Sequence, residues 1–122
     1  MLVLGIDVHK QTHTAVAVDE VGRELGQRTV RATDAGHRLL VGWVARTWPG
    51  VPVRFAVEDC RHVSTRLERA LLAAGQLVVR VPPKLMAGVR TASRTRGKSD
   101  PIDALAIARA ALREPGLPGR DT

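Results

Sequence analysis

Short apolar runs bounded by turn residues open the chain and predict three strands. Residues 2–6 are apolar and end at the carboxylate of Asp7, a pattern typical of a buried strand. The sequence THTAVAVD, residues 12–19, predicts a second strand, and the turn residues that follow it favour a hairpin. Residues 24–31 alternate only weakly between polar and apolar, which indicates a third, partly exposed strand.

Helical periodicity appears in the segments that follow. A first helix is predicted from a cap at Thr33 or Asp34 to the stop at Pro49, and a second from Ser64 to Gly75. A last helix begins at Ser99 or Asp100 and reaches about Arg113. Strands are predicted over 53–58 and 77–81, a short helix over 84–89, and an exposed basic loop over 92–99. The apolar residues that recur at helical spacing in the first helix are Leu39, Leu40, Trp43, Val44 and Trp48, and of these Trp43 and Trp48 are expected on its core side.

The order of these elements predicts the fold class. Strands separated by a helix favour parallel pairing, whereas the first three are close enough in sequence for an antiparallel meander. We therefore expect an α/β fold with a mixed sheet, antiparallel in its first three strands and then parallel, with helices packed on it. One domain is expected over residues 1–113. Residues 114–122, with two Pro and two Gly, are expected to be a linker or a truncated end.

Composition narrows the class of protein. The chain has 122 residues, of which 44% are hydrophobic, enough for one modest core. A single cysteine, Cys60, excludes an internal disulfide and a Cys-rich zinc site, and it fits a reducing compartment. No apolar stretch is long enough to cross a bilayer, and the N-terminus lacks signal-peptide features, so a cytoplasmic location without membrane contact is expected. The four histidines show no zinc-ligand spacing and are expected at the surface or at strand edges.

The charge balance indicates a polyanionic partner. There are 19 Lys and Arg against 12 Asp and Glu, a net charge of +7. With no Tyr, one Phe and two Trp, the chain has almost nothing on which to stack bases. Nucleic acid would therefore be held by its phosphates.

Four carboxylates occupy positions from which they can converge. Asp7 and Glu58 each end an apolar strand, and if those strands are parallel neighbours both emerge at the same edge of the sheet. Asp100 and Asp103 share one face at the start of the last helix. Such a cluster repels itself unless cations are bound, and its hard oxygen ligands suit two Mg²⁺ or Mn²⁺ ions. The alternative is that these acids are turn formers and helix caps.

Two residues beside Glu58 have a weaker claim to the site. Asp59 points to the opposite side in an extended chain and is the less favoured ligand. Cys60 has no partnered base and is interpreted as a small buried hydrophobe.

Basic residues without any intervening acid run from Arg80 to Lys98, directly before the last acid pair. This basic arm is either a solvated face or a phosphate-binding segment, and its position next to the acids favours the second. Lys10, close to Asp7, is a further candidate. The candidate nucleic-acid-binding residues are Lys10, Lys84, Arg90, Arg94, Arg96 and Lys98.

Three motifs together resemble a known family. They are GIDVHK at residues 5–10, the strand end Val57-Glu58, and RGKSDPIDA at residues 96–104. They resemble the DEDD transposases of bacterial insertion sequences, whose RNase H-like domain is similar to that of the Holliday-junction resolvase RuvC. The resemblance implies an RNase H-like (RuvC-like) fold in which Asp7, Glu58, Asp100 and Asp103 are the catalytic, metal-binding acids. The sequence departs from the family's pattern directly after Glu58, where it has Asp59-Cys60-Arg61 in place of small residues.

The resemblance also carries implications for function. It implies the N-terminal, metal-dependent nuclease-like domain of a DNA transposase or recombinase that processes DNA phosphodiesters. Longer members continue into a second catalytic domain with a nucleophilic serine, work as assemblies, and in some cases use a structured guide RNA. The chain is therefore expected to be a fragment of a longer, homo-oligomeric enzyme, with the isolated fragment inactive in complete transposition.

Two other interpretations remain open from the sequence. A non-catalytic nucleic-acid-binding module would use the basic arm Arg80 to Lys98 and treat the acids as caps and turns. An actin-like ATPase is suggested by Gly5-Ile6-Asp7, although the residues after Asp7 are not the small ones that a phosphate loop needs.

Overall fold

Five strands and three α-helices form the chain in a computed structural model that describes residues 1–58, 65–86 and 100–114, apart from the side chains of Met86 and Asp100. A 3₁₀ turn at Pro83–Met86 occupies the start of the segment predicted as a short helix, and residues 87–89 and the predicted basic loop lie outside the described residues. In chain order the elements are β1 (Leu2–Val8), β2 (Thr12–Val18), β3 (Glu24–Arg31), α1 (Asp34–Thr47), β4 (Val53–Glu58), α2 (Thr65–Ala73), β5 (Leu77–Val81) and α3 (Asp100–Arg113).

The five strands form one mixed sheet in the order β3-β2-β1-β4-β5. β1 pairs antiparallel with β2, and β2 with β3, through a hairpin turn in which Asp19 Oδ1 accepts hydrogen bonds from the backbone N–H groups of Val21 and Arg23. β1 pairs parallel with β4, and β4 with β5. The mixed sheet predicted from the order of elements is thus confirmed, and β1 lies at its centre.

Helices cover the sheet on both faces. Alternate residues of the strands, such as Ile6 and Phe55, pack under α1 and α2, where Leu40, Leu67 and Leu71 complete the core. The intervening residues pack under α3, whose core-facing side chains are mainly alanines. This second layer contains Val3, Val16, Val18, Ala56, Val79, Val81, Ala104, Ile107, Ala108 and Ala111.

Gly5 marks the place where α3 lies closest to the sheet. A Cβ at Gly5 would overlap the carbonyl oxygen of Ala104 and would lie 2.5 Å from the backbone nitrogen of Ala108. Only the absence of a side chain in β1, together with alanines in α3, permits this approach. The central strand and the last helix are therefore in backbone contact.

The first helix begins and ends as predicted. Thr33 is its N-cap and accepts a hydrogen bond from the N–H of Gly36 at 3.0 Å. Trp43 and Trp48 are partly buried and meet edge to face with ring centres 5.2 Å apart, which confirms their place on the core side. Leu39 recurs at the same helical spacing but is 51% exposed, because the adjacent Leu40 takes the core position.

Two histidines lie in the core, contrary to the expectation that all four would be at the surface or at strand edges. His13 of β2 and His37 of α1 are both buried, with stacked rings and their Nε2 atoms 3.2 Å apart. Burial lowers the pKa of His13 to about 4, and repulsion from His37 adds to the shift. Burial also lowers the pKa of His37. The pair is therefore neutral in the folded chain at neutral pH.

A helix long and apolar enough to span a membrane does not occur in the described parts of the chain.

The contact at Gly5 generates a prediction about stability. We expect Gly5→Ala to lower the free energy of unfolding by about 2–3 kcal/mol, because the added methyl overlaps backbone atoms that can only move with the whole helix. Urea unfolding followed by circular dichroism measures the change. Gly42→Ala in α1 is the control, since its Cβ meets only the flexible end of Arg46 and should be neutral or stabilising. A Gly5→Ala variant as stable as wild type would contradict the close packing.

The buried histidines generate a prediction about pH. A histidine in the unfolded chain binds a proton near pH 6.5, whereas folded His13 stays neutral until about pH 4. Because protons then bind preferentially to the unfolded state, the contribution of the buried histidines to stability is complete above pH 6.5 and decreases as the pH falls. We expect the free energy of unfolding to drop by about 1–2 kcal/mol between pH 7.5 and 5. Urea unfolding at both values tests this. The difference should shrink in His13→Asn, and an unchanged pH dependence in that variant would argue against the assignment.

Candidate metal centre

Asp7 and Glu58 lie on the same face of the sheet, at the ends of adjacent parallel strands. The pairing of Ile6 with Val57 places the next residues, Asp7 and Glu58, level with each other. Along β1 and β4, Val3, Gly5 and Ala56 face α3, and strand alternation puts both carboxylates on that face too. This placement agrees with the prediction that both acids emerge at one edge of the sheet.

The two carboxylates differ in their surroundings. Glu58 is 6% exposed, whereas the side chain of Asp7 is 15% exposed and contacts the ring of His9. The distance from His9 Nε2 to Asp7 Oδ2 is 2.9 Å, and the His9 side chain is 49% exposed. His9 is two residues beyond Asp7, and the contact shows that both side chains lie on the same side of the chain. His9 orients Asp7 from the solvent side.

The direction of α3 brings its first turn toward these acids. At the other end of the helix, Arg109 Nε donates a hydrogen bond of 3.0 Å to the carbonyl of Gly22 in the β2–β3 turn. That turn follows Val18, which pairs with Val3 near the start of β1. The first turn of α3 therefore lies toward the end of β1, where Asp7 is.

The second pair of acids belongs to that first turn. Asp100 is the first residue of α3, and Asp103 directly precedes Ala104, the residue in contact with Gly5. The Asp103 side chain is partly buried, whereas the side chain of Asp100 lies outside the described part of the structure. Both positions are thus on the helix turn nearest to the strand ends that carry Asp7 and Glu58.

The described side chains do not form a complete metal centre by themselves. Within the described residues, no three His, Cys, Asp or Glu side chains are grouped so that they could hold a metal ion. Asp7, Glu58 and Asp103 lie toward the same side of the sheet, but the described side chains of these three acids are not gathered closely enough to hold an ion as a set. All of these donors are hard oxygens, the ligand type that Mg²⁺ and Mn²⁺ prefer.

The predicted basic arm is corrected at its first residue. Arg80 Nε lies 3.0 Å from Oε1 of Glu68, and the Glu68 side chain is only 1% exposed. Arg80 therefore neutralises a buried carboxylate between β5 and α2. Removing Arg80 would take this counter-charge away from the buried Glu68 carboxylate, so the guanidinium has a structural role between β5 and α2.

The remaining basic candidates fall into two groups. Lys10, in the β1–β2 turn, and Lys84, in the 3₁₀ turn, are exposed. Four candidates lie outside the described residues: Arg90, Arg94, Arg96 and Lys98. Asp59 and Cys60 also lie outside them.

Sequence reasoning missed the neighbours of Asp7 on β2 and β3. Thr14 pairs with Asp7 across β1 and β2, and Thr29 pairs with Thr14 across β2 and β3. The two hydroxyls are 3.1 Å apart, and Thr14 is buried. In the sequence, Thr14 was only one β-forming residue among others, and no local signal placed it level with an acid. The pairing of the strands places it there.

Comparison with known proteins identifies the family. A family model of IS110-type DEDD transposases, described as a transposase, matches residues 4–119. The chain belongs to this transposase family. The chain is also similar to the uncharacterised 44.8 kDa protein of insertion element IS116 from Streptomyces clavuligerus, with 38% identity over 105 residues. This match covers 86% of the chain but 26% of the relative, so the chain spans about a quarter of the relative's length.

Solved structures confirm the fold of the chain. RuvC from Thermus thermophilus, solved in complex with a Holliday junction substrate, superposes with a TM-score of 0.66 at 19% identity, covering 98% of the chain and 99% of RuvC. A second structure of the same RuvC gives a TM-score of 0.64 at 19% identity, covering 98% of the chain and all of RuvC. The predicted RNase H-like, RuvC-like fold is confirmed.

Proposed function

We propose that the chain is the nuclease-like domain of a DNA transposase, and that it binds and processes DNA phosphodiesters at the end of β1. One observation carries the proposal: two carboxylates, Asp7 and Glu58, end adjacent parallel strands on the face toward which the first turn of α3 brings Asp103. Membership of the transposase family supports the same function. The actin-like ATPase interpretation loses its basis, because the family match includes the Gly5-Ile6-Asp7 motif that suggested it.

The acids present fit a divalent metal pair. Asp7, Glu58, Asp100 and Asp103 are the residues that would hold it, and all four offer carboxylate oxygens. Two bound Mg²⁺ or Mn²⁺ ions would supply charge stabilisation for the attacking and leaving oxygens of a phosphodiester. Without a cation, the level carboxylates of Asp7 and Glu58 would repel each other and the phosphate backbone.

Other residues of the chain contribute orientation and charge. His9 contacts Asp7 and limits the rotation of that carboxylate. Lys10, exposed directly after His9, would meet a phosphate next to the acids. Lys84 and the more distal arm residues Arg90, Arg94, Arg96 and Lys98 would neutralise further phosphates.

The function of the complete enzyme extends beyond these residues. We propose that the domain works with a second catalytic domain carrying a nucleophilic serine, within a homo-oligomeric transposase of the cytoplasm, and that a structured guide RNA directs it. The similarity of the family motifs supports these proposals. In this scheme the acids of the present chain position and activate DNA, while the chain alone does not complete transposition.

The metal proposal predicts a ligand-dependent gain in stability. We expect Mg²⁺ or Mn²⁺ to raise the melting temperature. At a metal concentration ten times the Kd, binding adds about 1.4 kcal/mol to the free energy of unfolding. Asp7→Asn and Asp103→Asn should abolish the gain, because each removes a ligand charge. Differential scanning calorimetry with and without the metal measures it.

Asp34→Asn is the matched control for those variants. Asp34 is an exposed acid at the start of α1, paired with Arg66, on the opposite face of the sheet. This variant should keep the full metal response. A wild-type melting temperature that does not change with metal, or one that changes equally in Asp7→Asn, would refute the metal centre.

The non-catalytic binding module stays as a second candidate function. It is favoured by the absence, among the described residues, of three acids grouped for a metal. In that case the acids are caps and turns, and the arm alone provides the function. Since Arg80 is paired with Glu68, the arm available for binding begins at Lys84.

The arm generates its own prediction. We expect the triple variant Arg94→Gln, Arg96→Gln, Lys98→Gln to weaken DNA binding and to reduce the slope of log affinity against log salt by about 0.9 for each phosphate that the variant no longer neutralises. Fluorescence anisotropy with labelled duplex DNA over a salt series measures both effects. If the same triple variant bound DNA with wild-type affinity and salt slope, the arm would have no role in binding.

A further inference from the structure

On the face of the sheet that α3 covers, the edge strand β3 presents a polar surface. This surface contains none of the predicted site residues. α3 packs over β1, β2, β4 and β5, while on the edge strand β3 the side chains of Gln27, Thr29 and Arg31 are exposed. The register places all three on the α3 side of the sheet, because they pair with Val16, Thr14 and Thr12. We call Gln27, Thr29 and Arg31 the β3 strip.

The β3 strip is continuous with the candidate metal centre. Thr29 pairs with Thr14, and Thr14 pairs with Asp7, so these three residues form one row across the sheet. The hydrogen bond between the hydroxyls of Thr14 and Thr29 shows that both side chains lie on one face. With neighbouring strands about 4.8 Å apart, Thr29 is roughly 10 Å from Asp7 across the sheet.

The chemistry of the β3 strip fits a phosphodiester backbone. Arginine, threonine and glutamine are typical donors to phosphate oxygens, and residues 25–31 contain no acid. Side chains two residues apart on a strand are separated by about 6.8 Å, similar to the spacing of successive phosphates along an extended strand. The exposed positive charges of Arg28 and Arg31 on this edge disfavour the pairing of a second copy of the chain along β3.

We propose that the β3 strip is a track for the backbone of the DNA strand whose next phosphodiesters lie at Asp7 and Glu58. This inference rests on the proposed function. It adds a binding surface on β3, which is separated from Asp7 by β2. The residues of this surface are distinct from those of the basic arm.

Three variants that each change the net charge by −1 test the track. Arg31→Gln and Gln27→Glu alter the strip, whereas Arg28→Gln alters the same strand on the opposite face, where Arg28 is exposed next to Val30 of the core. The probe is a fluorescein-labelled DNA duplex of mixed sequence, titrated with the 122-residue chain in Mg²⁺ buffer over a salt series. Thermal unfolding of each variant checks that the fold is kept.

We expect Arg31→Gln and Gln27→Glu to weaken binding about fivefold or more, with Arg31→Gln reducing the salt slope by about 0.9, while Arg28→Gln stays close to wild type. Equal losses in all three variants would show a general effect of charge and overturn the track. Wild-type affinity in Arg31→Gln and Gln27→Glu, or no binding by the wild type, would also overturn it.

The binding test of the β3 strip can fail independently of the metal test of the proposed function. If the strip variants weaken DNA binding but metal does not stabilise the chain, the track stands and the metal centre fails. If metal stabilises the chain and all three variants bind equally, the metal centre stands and the track fails. A dimer that dissociates only in the strip variants, detected by sedimentation velocity, would assign the strip to a second copy and overturn the track.

Discussion

The backbone contact between Gly5 and α3 is the constraint on which the site depends. Because Gly5 has no side chain, Ala104 and Ala108 lie directly on the central strand, and the residue before Ala104 is Asp103. A larger residue at Gly5 would lift the helix and move its acids away from Asp7, two residues further along β1. The same packing that closes the second core layer therefore sets the distance between the strand acids and the helix acids, so stability and function share one contact.

Much of the fold was predictable because its signals are local. Strand and helix bounds followed from apolar periodicity, the Thr33 cap and glycine stops, and the level placement of Asp7 and Glu58 followed from a general property of parallel strands. The exposed Leu39 was not predictable, since two adjacent leucines compete for one core position and the spacing does not say which wins.

What the sequence did not reveal depends on partners distant along the chain. Arg80 belonged by spacing to a basic arm, yet its partner Glu68 lies on another element and is buried. His13 and His37 are 24 positions apart, and only their packing makes them a neutral stacked pair. The row from Asp7 through Thr14 to Thr29 likewise arises from strand register, which no motif encodes. In each case, polar residues acquired their roles from tertiary pairing.

The hydrogen bond between Arg109 and Gly22 determines where a label or a surface can be attached to the domain away from the acids. It holds the last turns of α3 at the edge of the sheet opposite to the acids, so this 14-residue helix spans about 21 Å between the two. A dye, tether or solid support attached at Glu114 would sit at that distant edge. Such a label lies at the opposite end of α3 from the carboxylates, so this end of the helix is the suitable attachment point for single-molecule experiments on the acids.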